Sequence, residues 1–208
     1  MTYTLPAIGA PAPRPPLPKV AVEEHFNVLA AGPASAQQID LSKLVASMGY
    51  DRTWMSLVDA RLVEFDERVK AMDAAGVDVA VLSHTVPGAQ GIADAPLAAA
   101  AARDINDFLA NAIARYPSRF AGLASVALHD PLVGARELER AVTQLGFKGA
   151  MINGYTNVAD ARGGEYLDEP RLLPFWGGGC APARADLSAP APGARPARAR
   201  RARAADRR

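Results

Sequence analysis

Apolar positions along the chain switch period repeatedly, from two residues to 3.6 and back. In "PKVAVEEHF", Pro18 to Phe26, Val20 and Val22 alternate with Ala21 and Glu23, which predicts a first strand of about six residues. Residues 27–57 carry Gly and Pro early and little periodicity, and read as a long loop. In "VDARLVEFDERVKAMDAAGV", Leu62, Phe65, Val69 and Met72 share one helical face, and Gly76 is placed as the stop. "VDVAVLS" predicts a second strand. A helix follows in "DAPLAAAAARDINDFLANAIARYPSRF", started by Asp94 with Pro96 in its first turn and ended before Pro117. "FAGLASVAL" is a third strand. "DPLVGARELERAVTQLG" is a helix capped by Asp130 and stopped by Gly146, "KGAMING" is a fourth strand, and "DEPRLLPFW" begins another helix.

Apolar strands alternating with amphipathic helices predict an α/β fold with a parallel sheet and right-handed crossovers. Four βα units fit either half of a TIM (β/α)8 barrel or a doubly wound open sheet. No Gly-x-Gly-x-x-Gly follows the first strand, so a dinucleotide site has no support. In a barrel, functional side chains gather at the C-terminal ends of the strands, where Glu23, His25, His84 and Asn153 fall.

Composition narrows the picture. Half of the 208 residues are apolar and 22% are charged, as in ordinary globular proteins. The net charge of +1 conceals an asymmetry, because residues 177–208 hold 8 Arg against 2 Asp. The remaining body is mildly acidic, which argues against nucleic acid as its partner. No apolar run reaches membrane-spanning length, and the Pro-rich residues 1–18 lack the pattern of a secretory signal and predict a disordered arm. The single Cys180 leaves no internal disulfide framework and suits the cytoplasm.

Side chains at i and i+2 of a strand point to the same side, so Glu23 and His25 converge. A carboxylate oxygen beside an imidazole nitrogen suits zinc or manganese. Taken alone, a Glu–His hydrogen bond at a strand end is the simpler reading. The wider context alters that balance. "KVAVEEHF", "RVKAMDAAGVDVAVLS", "FAGLASVALHDP", "LGFKGAMINGYTN" and "PFW" occur in an order and spacing that resembles the amidohydrolase-related metal-dependent decarboxylases, most closely the γ-resorcylate (2,6-dihydroxybenzoate) decarboxylase group. The aminocarboxymuconate-semialdehyde decarboxylases are more distant relatives. The resemblance covers Lys19 to Trp176 and implies the N-terminal half, four βα units, of a TIM (β/α)8 barrel.

It also implies Glu23 and His25 as ligands of a divalent metal, Zn or Mn, and a small aromatic carboxylic acid as substrate. Glu24, on the opposite side of the strand, is expected to face the helices or a loop. Asn153, in "NGY", reads equally as a substrate contact and as a loop-capping Asn beside Gly154. His84 ends the second strand, where such enzymes use no histidine ligand, and reads as a loop or substrate-rim residue. His129, before Asp130, reads as a surface loop residue. The family's later parts are absent: a His-Pro-Arg motif at strand 5, a Gly-His-x-Gly-Glu segment after strand 6, and the catalytic Asp-Trp-Pro of strand 8. No catalytic residue is therefore assigned.

The tail is of a different kind. Of the 32 residues from Gly177, 27 are Ala, Arg, Pro or Gly, the amino acids whose codons begin with two G or C letters. An out-of-frame reading of a GC-rich gene produces this composition, and a basic disordered tail is the alternative. The expected organisation is a Pro-rich arm over 1–18, a partial barrel over 19–176 and a disordered tail over 177–208. Three functional expectations follow. The full-length parent is a decarboxylase and a homo-oligomer, a hydrolase of the same superfamily is the runner-up, and the chain alone is an inactive fragment with unpaired strand edges.

Overall fold

The computed structural model describes residues 17–28, 49, 51–159 and 164–179. Most of the long loop (29–48 and 50), the arm up to residue 16 and the tail from residue 180 therefore lie outside the described residues. Three parallel strands form the sheet in the order β1 (Val20–Phe26), β2 (Val79–His84) and β3 (Phe120–Gly122). The expected fourth strand joins the chain just past β3 through a parallel bridge, Ala124 to Ala150, with Ala124 N–H donating to the Gly149 carbonyl at 2.8 Å. Residues 80–83 of β2 are buried without interruption, as a strand covered on both faces requires. Among the described residues β1 pairs only with β2, and Val22 is 57% exposed.

The capping residues act as the sequence indicates. Asp94 accepts a hydrogen bond from Leu97 N–H at 2.8 Å and starts a helix over Ala95–Arg115. Asp130 accepts from Leu132 and Val133 N–H at 2.9 and 3.1 Å and starts a helix over Pro131–Thr143. Gly76 takes the left-handed conformation (φ 65°) that ends the helix before β2.

Three expectations are corrected. The single helix expected near residues 58–77 is two: α1 (Arg52–Val63) and α2 (Phe65–Ala75), broken at Glu64, whose backbone is extended. Helix α1 starts inside the segment read as loop, because Asp51 caps it by accepting from Trp54 N–H at 2.9 Å. After the fourth strand an unforeseen antiparallel hairpin forms, β4 (Tyr155–Asn157) with β5 (Gly164–Tyr166). The remaining helices are α3 (Ala95–Arg115) and α4 (Pro131–Thr143). At "DEPRLLPFW" the chain makes a 3₁₀ turn over Pro170–Leu172 and a wider helical turn over Phe175–Gly179.

The core lies between sheet and helices, with Phe26, Leu82, Ile105, Leu109, Leu128 and Phe175 fully enclosed. Gly134 of α4 packs closely on the backbone before it, and an added Cβ there would come within 2.9 Å of the Ala127 carbonyl oxygen. Alanine gains up to about 1 kcal/mol over glycine in a helix interior. Forcing α4 off a backbone atom costs about 1–3 kcal/mol. The steric effect wins, so Gly134→Ala is expected to lower stability by about 1 kcal/mol net. An unchanged or raised melting temperature would contradict this.

Candidate metal and ligand site

The C-terminal end of β1 is shaped by a bulge. Val20 and Ala21 pair with Val79 and Ala80, but Glu24 pairs with Leu82, so Val22 and Glu23 together face the single residue Val81. Such an extra residue bends a strand and re-aims its side chains. Glu23 and His25 are both exposed on this last turn. Glu24 points instead to α2, where it accepts from Arg68 Nη1 at 3.1 Å, as expected for the opposite side of the strand.

Arg68 is a site-building residue that the sequence reading missed. It is 6% exposed, and its guanidinium reaches three directions. Nε donates to the Arg61 carbonyl at 3.0 Å, Nη1 to Glu24, and Nη2 to the His25 carbonyl. Burial lowers its pKa, and the Glu24 carboxylate opposes that effect. The end of β1 is thereby tied to α1 and α2. Its signal was legible, since Arg68 lies on the apolar stripe of Phe65, Val69 and Met72 at i+3 from Phe65.

His25 Nδ1 lies 3.0 Å from the hydroxyl of Ser83, which is 1% exposed. With Nδ1–H donating to Ser83, the Nε2 lone pair is left for a metal, the usual outer-shell arrangement of a ligand histidine. The donor types of Glu23 and His25 thus fit zinc or manganese, and the ring has a buried partner to orient it. They supply two donors. Among the described residues no group of three or more His, Cys, Asp or Glu stands together to hold a metal ion.

Beside this pair, the loop after β2 folds over the strand ends. The Val86–Pro87 peptide is cis and a 3₁₀ turn spans Gly88–Gly91. Asn153 reaches this loop, its Nδ2 donating to the Pro87 carbonyl at 2.7 Å. That is the loop-capping reading of Asn153, and it uses one of two amide hydrogens. His84 ends β2 with its ring edge-on to Phe26, centroids 5.5 Å apart. Burial pushes its pKa down to about 4, the Thr85 backbone offsets part of the fall, and the neighbouring His25 adds to it. Neither ring nitrogen attains hydrogen-bond geometry with a described residue, Thr85 included. His129 corrects an expectation. Its ring nitrogens are buried rather than at the surface, and burial lowers its pKa, with the Asn157 and Ile92 backbone opposing.

Two further polar residues were not foreseen. Buried Gln90 grips the Asn153 backbone, Oε1 accepting from its N–H at 2.7 Å and Nε2 donating to its carbonyl at 3.2 Å. Asn106 of α3, 0% exposed, does the same to Ser125 beyond β3, at 2.8 and 2.9 Å, and its Nδ2 also donates to Glu137 of α4 at 2.8 Å. Each amide mimics a strand partner and fixes a loop residue at the sheet's C-terminal edge.

Comparison with known proteins agrees with this architecture. The family model described as Amidohydrolase matches residues 22–187, running past the Trp176 boundary expected from the sequence. A γ-resorcylate decarboxylase of Polaromonas sp. (strain JS666 / ATCC BAA-500) is 39% identical over 160 residues, 76% of this chain and 45% of that protein. The crystal structure of a dihydroxybenzoic acid decarboxylase from Polaromonas sp. JS666, with bound manganese and the inhibitor 2-nitroresorcinol, superposes with a TM-score of 0.64 at 38% identity. It is matched over 77% of this chain and 45% of its own. A 2,6-dihydroxybenzoate decarboxylase from Rhizobium gives a TM-score of 0.63 at 37% identity, over 77% and 46% of the two chains. The chain spans about half the length of the curated relatives it matches. Among the described residues no helix is long and apolar enough to cross a membrane. The chain belongs to the amidohydrolase family and carries the N-terminal βα units of that family's (β/α)8 barrel.

Proposed function

We propose that the chain is part of a metal-dependent decarboxylase acting on a hydroxybenzoate-like aromatic acid. The observation that carries this reading is the likeness to decarboxylases of dihydroxybenzoates, one of them with bound manganese, together with a family match over residues 22–187, which hold Glu23, His25 and Asn153. Glu23 and His25 would hold the metal, Zn or Mn, and Asn153 would contact the substrate. When bound, the metal supplies charge stabilisation and a fixed orientation for substrate oxygens. Ser83 orients the His25 ring, and Arg68 fixes the backbone that carries it. Phe26 and Leu82, next to His25 and Ser83 in their strands, are fully buried. The proposed partners are a small aromatic acid and further copies of the full-length parent, with neither nucleic acid nor membrane, and a cytoplasmic location.

A second reading concerns the chain by itself. Among the described residues no group of three or more His, Cys, Asp or Glu stands together, and a catalytic zinc site takes about three protein ligands. The 208-residue chain is therefore expected to bind metal weakly and to release no CO2 above background. Purified chain and its His25→Ala variant are dialysed against zinc or manganese, and bound metal and CO2 release from 2,6-dihydroxybenzoate are measured. Loss of the weak binding in His25→Ala is the expected result, and equal metal content in both proteins would remove His25 from the site. Turnover by the chain alone would support the decarboxylase and overturn the incomplete-site reading. The same assay on a gene restored to a longer frame is expected to give both metal and turnover. Failure of that protein on every hydroxybenzoate tried would overturn the decarboxylase.

A further inference from the structure

Three polar atoms converge on one point at the C-terminal edge of the sheet. A Cβ built on Gly88 would lie 3.6 Å from His84 Nδ1, 3.6 Å from Ser125 Oγ and 3.9 Å from Asn153 Nδ2. Gly88 has φ +58°, a backbone region that favours glycine, and it leaves this point without a side chain. That point is one covalent bond from the Gly88 Cα, so an oxygen held by the three groups sits farther out, above the Cα hydrogen, and closer to them than the Cβ position. The walls are rigid for identifiable reasons. Ser125 is clamped through its backbone by Asn106, Asn153 by Gln90, and the His84 ring rests edge-on against Phe26.

We infer that His84, Ser125 and Asn153 form a cradle at Gly88 for one acceptor oxygen of a bound ligand. The chemistry of the three groups selects an acceptor. The Asn153 amide has a second hydrogen beyond the one given to Pro87, the Ser125 hydroxyl donates, and a neutral imidazole donates from one nitrogen. His84 supplies the strongest indication, because both its ring nitrogens are buried without a hydrogen bond among the described residues. Leaving such a group unsatisfied is costly, and an oxygen in the cradle recovers part of that cost. The cradle lies beside the Glu23–His25 pair, since Phe26 pairs with His84 and His25 with Ser83 across the strands. The identity of the ligand as an aromatic acid rests on the proposed function; the oxygen then belongs to its carboxylate or to a ring hydroxyl.

The test uses the full chain labelled with ¹⁵N-histidine, with zinc present. The His84 ring signals are identified by their loss in His84→Leu. Three probes are titrated: 2,6-dihydroxybenzoate, benzoate with a carboxylate alone, and resorcinol with hydroxyls alone. The expected result is a shift of the His84 ring nitrogens, with affinity roughly tenfold weaker in Ser125→Ala. Gly88→Ala, whose methyl would occupy the cradle, is expected to abolish the shift while circular dichroism shows a retained fold. A response to benzoate assigns the oxygen to the carboxylate, and a response to resorcinol assigns it to a hydroxyl. Static His84 signals, or unchanged affinity in Ser125→Ala, would overturn the cradle, as would a ring hydrogen bond that persists unaltered without any probe and marks a water only. A His84 shift on binding without CO2 release, in this chain or in the longer frame, would leave the cradle standing and count against the decarboxylase.

Discussion

Arg68→Ala is expected to cost the fold about 3–4 kcal/mol, from lost hydrogen bonds made by a charged donor at about 1.5–3 kcal/mol each. The guanidinium serves the Arg61 carbonyl, the Glu24 carboxylate and the His25 carbonyl at once. Truncation strands the two carbonyls and opens a void beneath α2. Glu24 is half-exposed and regains water, so its loss contributes little. Arg68→Lys is a sharper test than alanine. An ammonium on a flexible stem cannot reproduce a planar fork that reaches three acceptors, and it is expected to recover less than half of the loss. Urea unfolding of the three proteins reads these differences directly. A cost under about 1 kcal/mol for alanine, or full recovery by lysine, would show that the fork does not hold the end of β1.

The alternation of strand and helix was legible because each element carries its own signal. Asp94 with Pro96, Asp130 with Pro131 and Gly76 act within one turn of their own position, and local chemistry decides them. Asp51 carries the same kind of signal, but it was hidden by the irregular composition of the segment before it. The bulge in β1 is different in kind. Whether Val22 and Glu23 share one partner depends on the register against β2, which lies far along the chain. The hairpin of β4 and β5 is three residues a strand, too short for alternation to show. The site divides in the same way. Glu23 and His25 are legible as an i, i+2 pair at a strand end, and Asn153 as a polar residue at another. The clamps of Gln90 and Asn106 join residues 63 and 19 positions apart, and only the fold brings them together. A polar side chain on an apolar helix stripe was the available hint for Asn106, which sits among Ala102, Ile105 and Leu109.

Acid is expected to destabilise the chain between about pH 6.5 and pH 4, and His84 is the group responsible for much of the loss. Unfolded, its imidazole takes up a proton near 6.5; folded, burial delays that to about 4. Between these values the unfolded state holds more protons, so stability is complete above about pH 6.5 and falls as the pH drops toward 4. A difference of this size is worth on the order of 3 kcal/mol by linkage. The neighbouring His25 adds to the lowering of the His84 pKa, after burial. His129, also shifted down by burial, contributes with the same sign from another part of the fold. His84→Leu separates these contributions. It removes the His84 proton from both folded and unfolded states while His25 and His129 remain. Urea midpoints measured from pH 7.5 to 4.5 should fall less steeply in His84→Leu, with the gap between the two proteins changing by on the order of 3 kcal/mol across the range. Parallel curves for wild type and His84→Leu would mean that the folded ring accepts a proton as readily as the unfolded one, and the buried neutral imidazole would have to be abandoned.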